Sequence, residues 1–233
     1  MKLGSCLPIV MVCGSIGVAT ADVAAGPADV PANPLATPWS RPQTTYVMAP
    51  DLPVFDNHVA HAVAGFSNVI YLNNCKPAGC TITPGTDNST ANPPTSIVPQ
   101  QSSVVSPFAY SDAIWQQVVD CVRKTYSPFA VQITDVRPTS GNFHMGIVAG
   151  MPQDVQQPTN VGGVSPFTCG YIPNAVSFSF ANVYGPNVNQ ICWTVAQETA
   201  HSWGLDHKFD NRDPMTYLNT GPAWKMYQNQ AGS

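Results

Sequence analysis

The run from Gln197 to His207, QETAHSWGLDH, constrains the fold more than any other part of the chain. At 3.6 residues per turn, positions four apart lie about 40° from each other on a helix, so Gln197 and His201 project from one face. Glu198 points beside that pair. The geometry lets His201 bind a metal while Glu198 reaches a water on it and takes its proton. Gly204 lies just past the periodic stretch, where a residue with positive φ stops a helix and turns the chain. That turn brings His207 back toward the same point. Met215 follows shortly in DPMTY, with Tyr217 beside it. An E-x-x-H-x-x-G-x-x-H pattern is expected by chance in well under about one chain in a thousand of this length.

The pattern resembles the metzincin clan of zinc endopeptidases, whose signature is HExxHxxGxxH followed by a Met-turn. Glu198, His201, Gly204, His207 and Met215 fall in register with it, and Gln197 stands where the first histidine belongs. The resemblance implies a hydrophobic floor at Met215 and a second catalytic residue at Tyr217, which would either ligate the metal or stabilise an oxyanion. It implies Zn2+ held by Gln197, His201 and His207, with copper or another divalent metal as the alternative. A Gln amide offers only a neutral carbonyl oxygen, a poorer donor than imidazole, so affinity should fall. The gametolysin-like branch of the clan includes extracellular-matrix proteases with Gln at this position. Two outcomes stay open: a working peptidase acting on protein or peptide substrates, with Glu198 as base, or a catalytically impaired extracellular binding module.

The N-terminus points to secretion. Lys2, the apolar stretch Leu7 to Val18 and the small residues Ala19-Thr20-Ala21 read as a signal peptide over residues 1–21. About a dozen apolar residues are too few to span a bilayer, and no later segment is long enough, so no stable membrane insertion is expected. Residues 22–50, rich in Pro and Ala, read as a leader or pro-segment without cysteine; residues 51–233 form the metallopeptidase-like domain. Its core is expected to begin near Asp51 or Phe66. Only 9% of residues are charged, the net charge is -4, and there is no basic run, which excludes a nucleic-acid footprint.

Seven cysteines, less Cys6 and Cys13 in the signal, leave five. In an oxidising compartment most should pair. Cys75 and Cys80 enclose a tight loop and suggest a local bridge. Cys192 faces away from the metal side of its helix and could reach Cys169, which leaves Cys121 as a buried thiol or one whose partner lies elsewhere.

The fold class expected is α+β: a twisted mixed sheet with a backing helix, a metal-binding active-site helix and a short C-terminal subdomain. Ser67–Asn73, Ala130–Val136, Phe143–Ala149 and Ala175–Val183 read as strands, and Thr81–Pro107 as a long loop carrying a sequon at Asn88. Asp112–Tyr126 places Ile114, Trp115, Val118, Val119 and Val122 at helical spacing behind Ser111 or Asp112 as N-cap. Asn187 or Asn189 caps the helix carrying Gln197. The order of elements is that of the N-terminal part of metzincins. Trp224–Gln230 would be the remnant of a C-terminal helix, and a truncated C-terminus fits the short tail after His207. His58, His61 and His144 are read first as ordinary packed or exposed histidines, and Trp193 and Trp203 as core.

Overall fold

The computed structural model describes residues 66–168, 170–218 and 224–228, with the backbone of residues 9–14. Its elements follow in the order β1 (Ile9–Gly14), β2 (Val69–Asn73), β3 (Cys80–Pro84), β4 (Thr95–Ser96), β5 (Ser103–Val105), α1 (Asp112–Tyr126), β6 (Gln132–Thr134), β7 (His144–Val148), β8 (Val161–Phe167), β9 (Val176–Ser179) and α2 (Val188–Ala200). The chain is a mixed α+β fold with two sheets and two long helices.

The larger sheet has the order β1-β8-β9-β7-β2-β6. β6, β2, β7 and β9 run parallel, and β8 returns antiparallel to β9. Parallel strands are covered on both faces and need not alternate. All five residues of β7 and all four of β9 are accordingly buried. One cover is α2. Gly146 of β7 is a glycine because a Cβ there would come within 3.1 Å of Thr199 on that helix.

α1 forms where its periodicity predicts. Ser111 Oγ caps it by accepting from the amide of Ile114, Asp112 lies in the first turn, and Arg123 and Lys124 sit in the last, each sign matched to the helix dipole. Its inner face buries Trp115, Val118, Val119, Val122 and Tyr126. Those five side chains at about 1.5–3 kcal/mol each supply much of the reason α1 stays docked. The Tyr126 hydroxyl reaches across to α2, donating to the Ala196 carbonyl at 3.1 Å and lying 2.7 Å from Thr199 Oγ1.

Cys121 of α1 pairs with Cys192 of α2, with Cα atoms 6.0 Å apart. This corrects the expected Cys169–Cys192 bridge and accounts for Cys121. The error came from the helix wheel, which put Cys192 away from the metal side but could not say which element lay there. Cys75–Cys80 forms as expected. Cys169, His58, His61 and residues 22–50 lie outside the described residues.

The stretch expected as one long loop, Thr81–Pro107, holds a second sheet of order β4-β3-β5. Asp87 ties this insert to β9 by accepting from the Val176 amide at 3.1 Å, and Asp154 accepts from the Ser106 amide at 2.9 Å. Strands of two and three residues are too short for alternation to register. Trp224–Gln228 is likewise not helical. It runs back across the molecule, with Met226 donating to the Arg212 carbonyl at 2.8 Å and Tyr227 donating to the Ala196 carbonyl at 2.8 Å.

Residues 9–14 of the apolar stretch read as a signal core form a strand of the larger sheet. Ile9–Gly14 pairs antiparallel with the outer edge of β8, Ile9 opposite Phe167 and Cys13 opposite Gly163. Among the described residues no helix is long and apolar enough to cross a membrane.

Candidate metal centre

α2 is capped at its start by Asn187, whose side chain accepts from the Gln190 amide at 3.1 Å, and at its end by His201. Gln197 and Glu198 therefore sit in its last turn. Gln197 is 7% exposed, and Glu198 and His201 are 0% exposed. Glu198 faces β8, where Gly163 leaves the space that it fills: a Cβ on Gly163 would lie 2.6 Å from Glu198 Cγ.

Gly204 has φ +80° and ψ 14°, the left-handed conformation the sequence predicts for it. Its face is pressed against the backbone of Gly170, 3.1 Å from where a Cβ would stand, so position 204 excludes a side chain twice over. The turn delivers His207 beside His201 with ring centroids 4.7 Å apart, edge to face.

The protonation of His201 is fixed by its neighbour. Nδ1 lies 2.7 Å from the Leu205 carbonyl oxygen, which can only accept, so Nδ1 carries the proton and Nε2 keeps the lone pair. That Nε2 is buried with no hydrogen-bond partner among the described residues, as is the amide nitrogen of Gln197. Burial, reinforced by nearby His207, lowers the His201 pKa to about 4, so the ring is neutral at physiological pH. Burial also lowers that of His207, against the opposing pull of Asp206.

Tyr217 stacks on His207 with centroids 4.0 Å apart, and its Oη is 2.9 Å from His207 Nδ1. Contact with Nδ1 leaves Nε2 of His207 as the ligand-capable atom and orients the ring, as outer partners of metal-bound histidines do. Met215 is fully buried, and its carbonyl accepts from the Lys208 amide at 2.9 Å, which clamps the methionine turn to the residue after His207. Gln197, Glu198, His201, His207, Met215 and Tyr217 are thus assembled in one region.

Three contributors carried no sequence signal. Asp213 is 0% exposed and holds the methionine turn through three partners: Lys208 Nζ at 2.9 Å, the Met215 amide at 2.8 Å and the Gln228 amide at 2.7 Å. Gly163 makes room for Glu198. Lys225, only 2% exposed, borders a cavity of about 50 Å³ that Glu198, Gln197, Trp193 and Thr194 also line. Trp193, expected in the core, is half-buried and forms one wall of that cavity. Trp203 packs edge to face on His144 at 4.5 Å, and Tyr171 closes the other side at 5.3 Å. His144 is therefore a packed strand residue.

No protein-family model matches the chain, and searches of curated proteins and of solved structures each found no match.

Proposed function

We propose that the chain is a secreted, metzincin-like metal-dependent endopeptidase in which Gln197, His201 and His207 would hold a zinc ion. One observation carries this reading: His201 Nε2, which keeps its lone pair, is buried without a hydrogen-bond partner among the described residues, one turn from Gln197 and next to fully buried Glu198. A buried polar atom left unmet costs about 1–3 kcal/mol, which a ligand at that point would recover. The donor set fits zinc, which takes imidazole nitrogen and tolerates amide oxygen, and copper or another divalent metal would compete for it. When bound, zinc would supply Lewis acidity toward the scissile carbonyl and acidify a water.

The chain's own residues then do the rest. Glu198, held in place by Gly163, accepts the proton of the attacking water on a carboxylate oxygen and returns it to the leaving amine nitrogen. His201 is kept in its ligating tautomer by Leu205. Tyr217, braced on His207 and partly exposed, donates its hydroxyl proton toward the carbonyl oxygen as negative charge gathers there. A substrate in extended conformation would pair along the outer edge of β8, the position Ile9–Gly14 takes here and would vacate on removal of residues 1–21. Two disulfides agree with an oxidising destination.

Glu198→Gln tests the reading. Turnover of a quenched fluorescent peptide library should fall by about 10²–10⁴-fold while bound metal stays unchanged. Retained turnover in Glu198→Gln would overturn the mechanism.

A further inference from the structure

Lys225 is a buried cation with no carboxylate within ion-pair distance among the described residues. It is 2% exposed, yet among the described residues its ammonium has only the Leu218 carbonyl at 2.6 Å and the face of Trp193, 4.6 Å to the ring centroid. The acid whose charge it feels, Asp213, is already bonded to Lys208 at 2.9 Å and to two backbone amides. A buried charge is normally paired, because leaving it alone forfeits hydration with nothing in return. One carbonyl and one ring face use only part of an ammonium's three donors.

The place where the missing partner belongs is the cavity beside Glu198. Among the described residues Lys225 is the only lysine or arginine lining it, and apart from Glu198 the rest of the wall is neutral, with Gln190, Trp193, Thr194 and Tyr184 beside Gln197 and Tyr217 of the candidate metal centre. Its volume of about 50 Å³ compares with about 10–15 Å³ for one water position on the same measure. That leaves room for about four heavy atoms, the size of a short carboxylate side chain. The side-chain amide of Gln190 supplies a donor for the second carboxylate oxygen, while the Thr194 hydroxyl is engaged with Tyr184 and the Gln190 carbonyl.

We propose that this cavity is a specificity pocket for an acidic side chain next to the scissile bond, with Lys225 as the residue that recognises it. Aspartate and glutamate would be accepted, and their amide isosteres, which leave the buried ammonium unpaired, would be discriminated against. This rests on the peptidase reading for its place in catalysis, but not for the binding event itself.

The test therefore has two arms. In the first, the metal-loaded chain is given paired peptides that differ only by Glu against Gln or Asp against Asn at each position flanking the cleaved bond. The expected kcat/KM ratio is about tenfold or more in favour of the acid at one position, falling to about one in Lys225→Met. In the second, glutarate is titrated into the metal-free chain and followed by tryptophan fluorescence, since Trp193 lies under the ammonium. Saturable binding is expected in the wild type and lost in Trp193-competent, folded Lys225→Met, with circular dichroism as the check on folding. Gln190→Glu, which leaves Lys225 in place and brings a competing carboxylate to the wall, should weaken glutarate at least several-fold and covers the case in which Lys225→Met fails to fold. No turnover on any peptide together with glutarate binding that depends on Lys225 would sink the peptidase reading and keep the pocket. Absence of saturable glutarate binding, equal binding in the variants, or turnover indifferent to the acid would overturn the pocket itself.

Discussion

Position 163 shows how closely the candidate site depends on single atoms. A methyl group there would stand 2.6 Å from Glu198 Cγ, 2.7 Å from its Oε1 and 2.8 Å from Thr194 Cγ2. Real carbon contacts do not come so close, and the one direction open to Glu198 is the cavity that it lines, so relief of the clash moves its carboxylate out of place. Gly163→Ala should therefore destabilise the chain by about 1–3 kcal/mol and move the carboxylate. A displacement of about 1 Å in a catalytic group lowers turnover by about 10²-fold. Chemical denaturation and peptide turnover would both register the change; wild-type values in both would show that Glu198 does not need this space. The ligand side is set with equal economy: Leu205 fixes the tautomer of His201, and Tyr217 the orientation of His207.

Between elements, three buried titratable groups give the fold a pH dependence whose sign can be worked out. Burial lowers His144 on β7 and His201 at the end of α2 to about 4, below the ordinary histidine value of 6.5. Each contributes stability that is fully present above pH 6.5 and is lost as the pH falls toward 4, because only the unfolded chain takes up the proton. Asp87, which joins the insert to β9, is raised by burial from 3.8 to about 6, so it acts in the opposite sense and favours the folded state as the pH drops. At pH 5 these two histidines gain a proton on unfolding and the aspartate releases one, a net uptake of one from the three groups, to which His207, also lowered by burial, adds in the same sense. Stability of the metal-free chain should thus fall by at least about 1.4 kcal/mol per pH unit near pH 5. Urea unfolding at pH 7 and pH 5 checks this, and a chain as stable at pH 5 as at pH 7 would contradict it.

Over the whole molecule, what the sequence revealed depended on how local the governing interaction was. Both helices and their caps were legible because helical periodicity, Ser111 and Asn187 act within a few residues. The turn at Gly204 was legible for the same reason. β8 was not, since Gly162 and Gly163 interrupt its alternation, and those glycines answer to Tyr184 and Glu198 on other elements. The Cys121–Cys192 bridge, Asp213 and Lys225 were hidden because their partners are distant in sequence or are brought near only by the returning C-terminal segment. The candidate site could thus be read along α2 and its turn, while the walls around it could not. The central claim is that this cluster, with Gln197 in place of a histidine, holds a metal ion. Elemental analysis of the dialysed mature chain beside a Gln197→His variant measures it directly. The account predicts about one zinc or copper per wild-type chain, bound more tightly in the variant; metal in the variant alone would contradict it and leave the natural chain as a binding module.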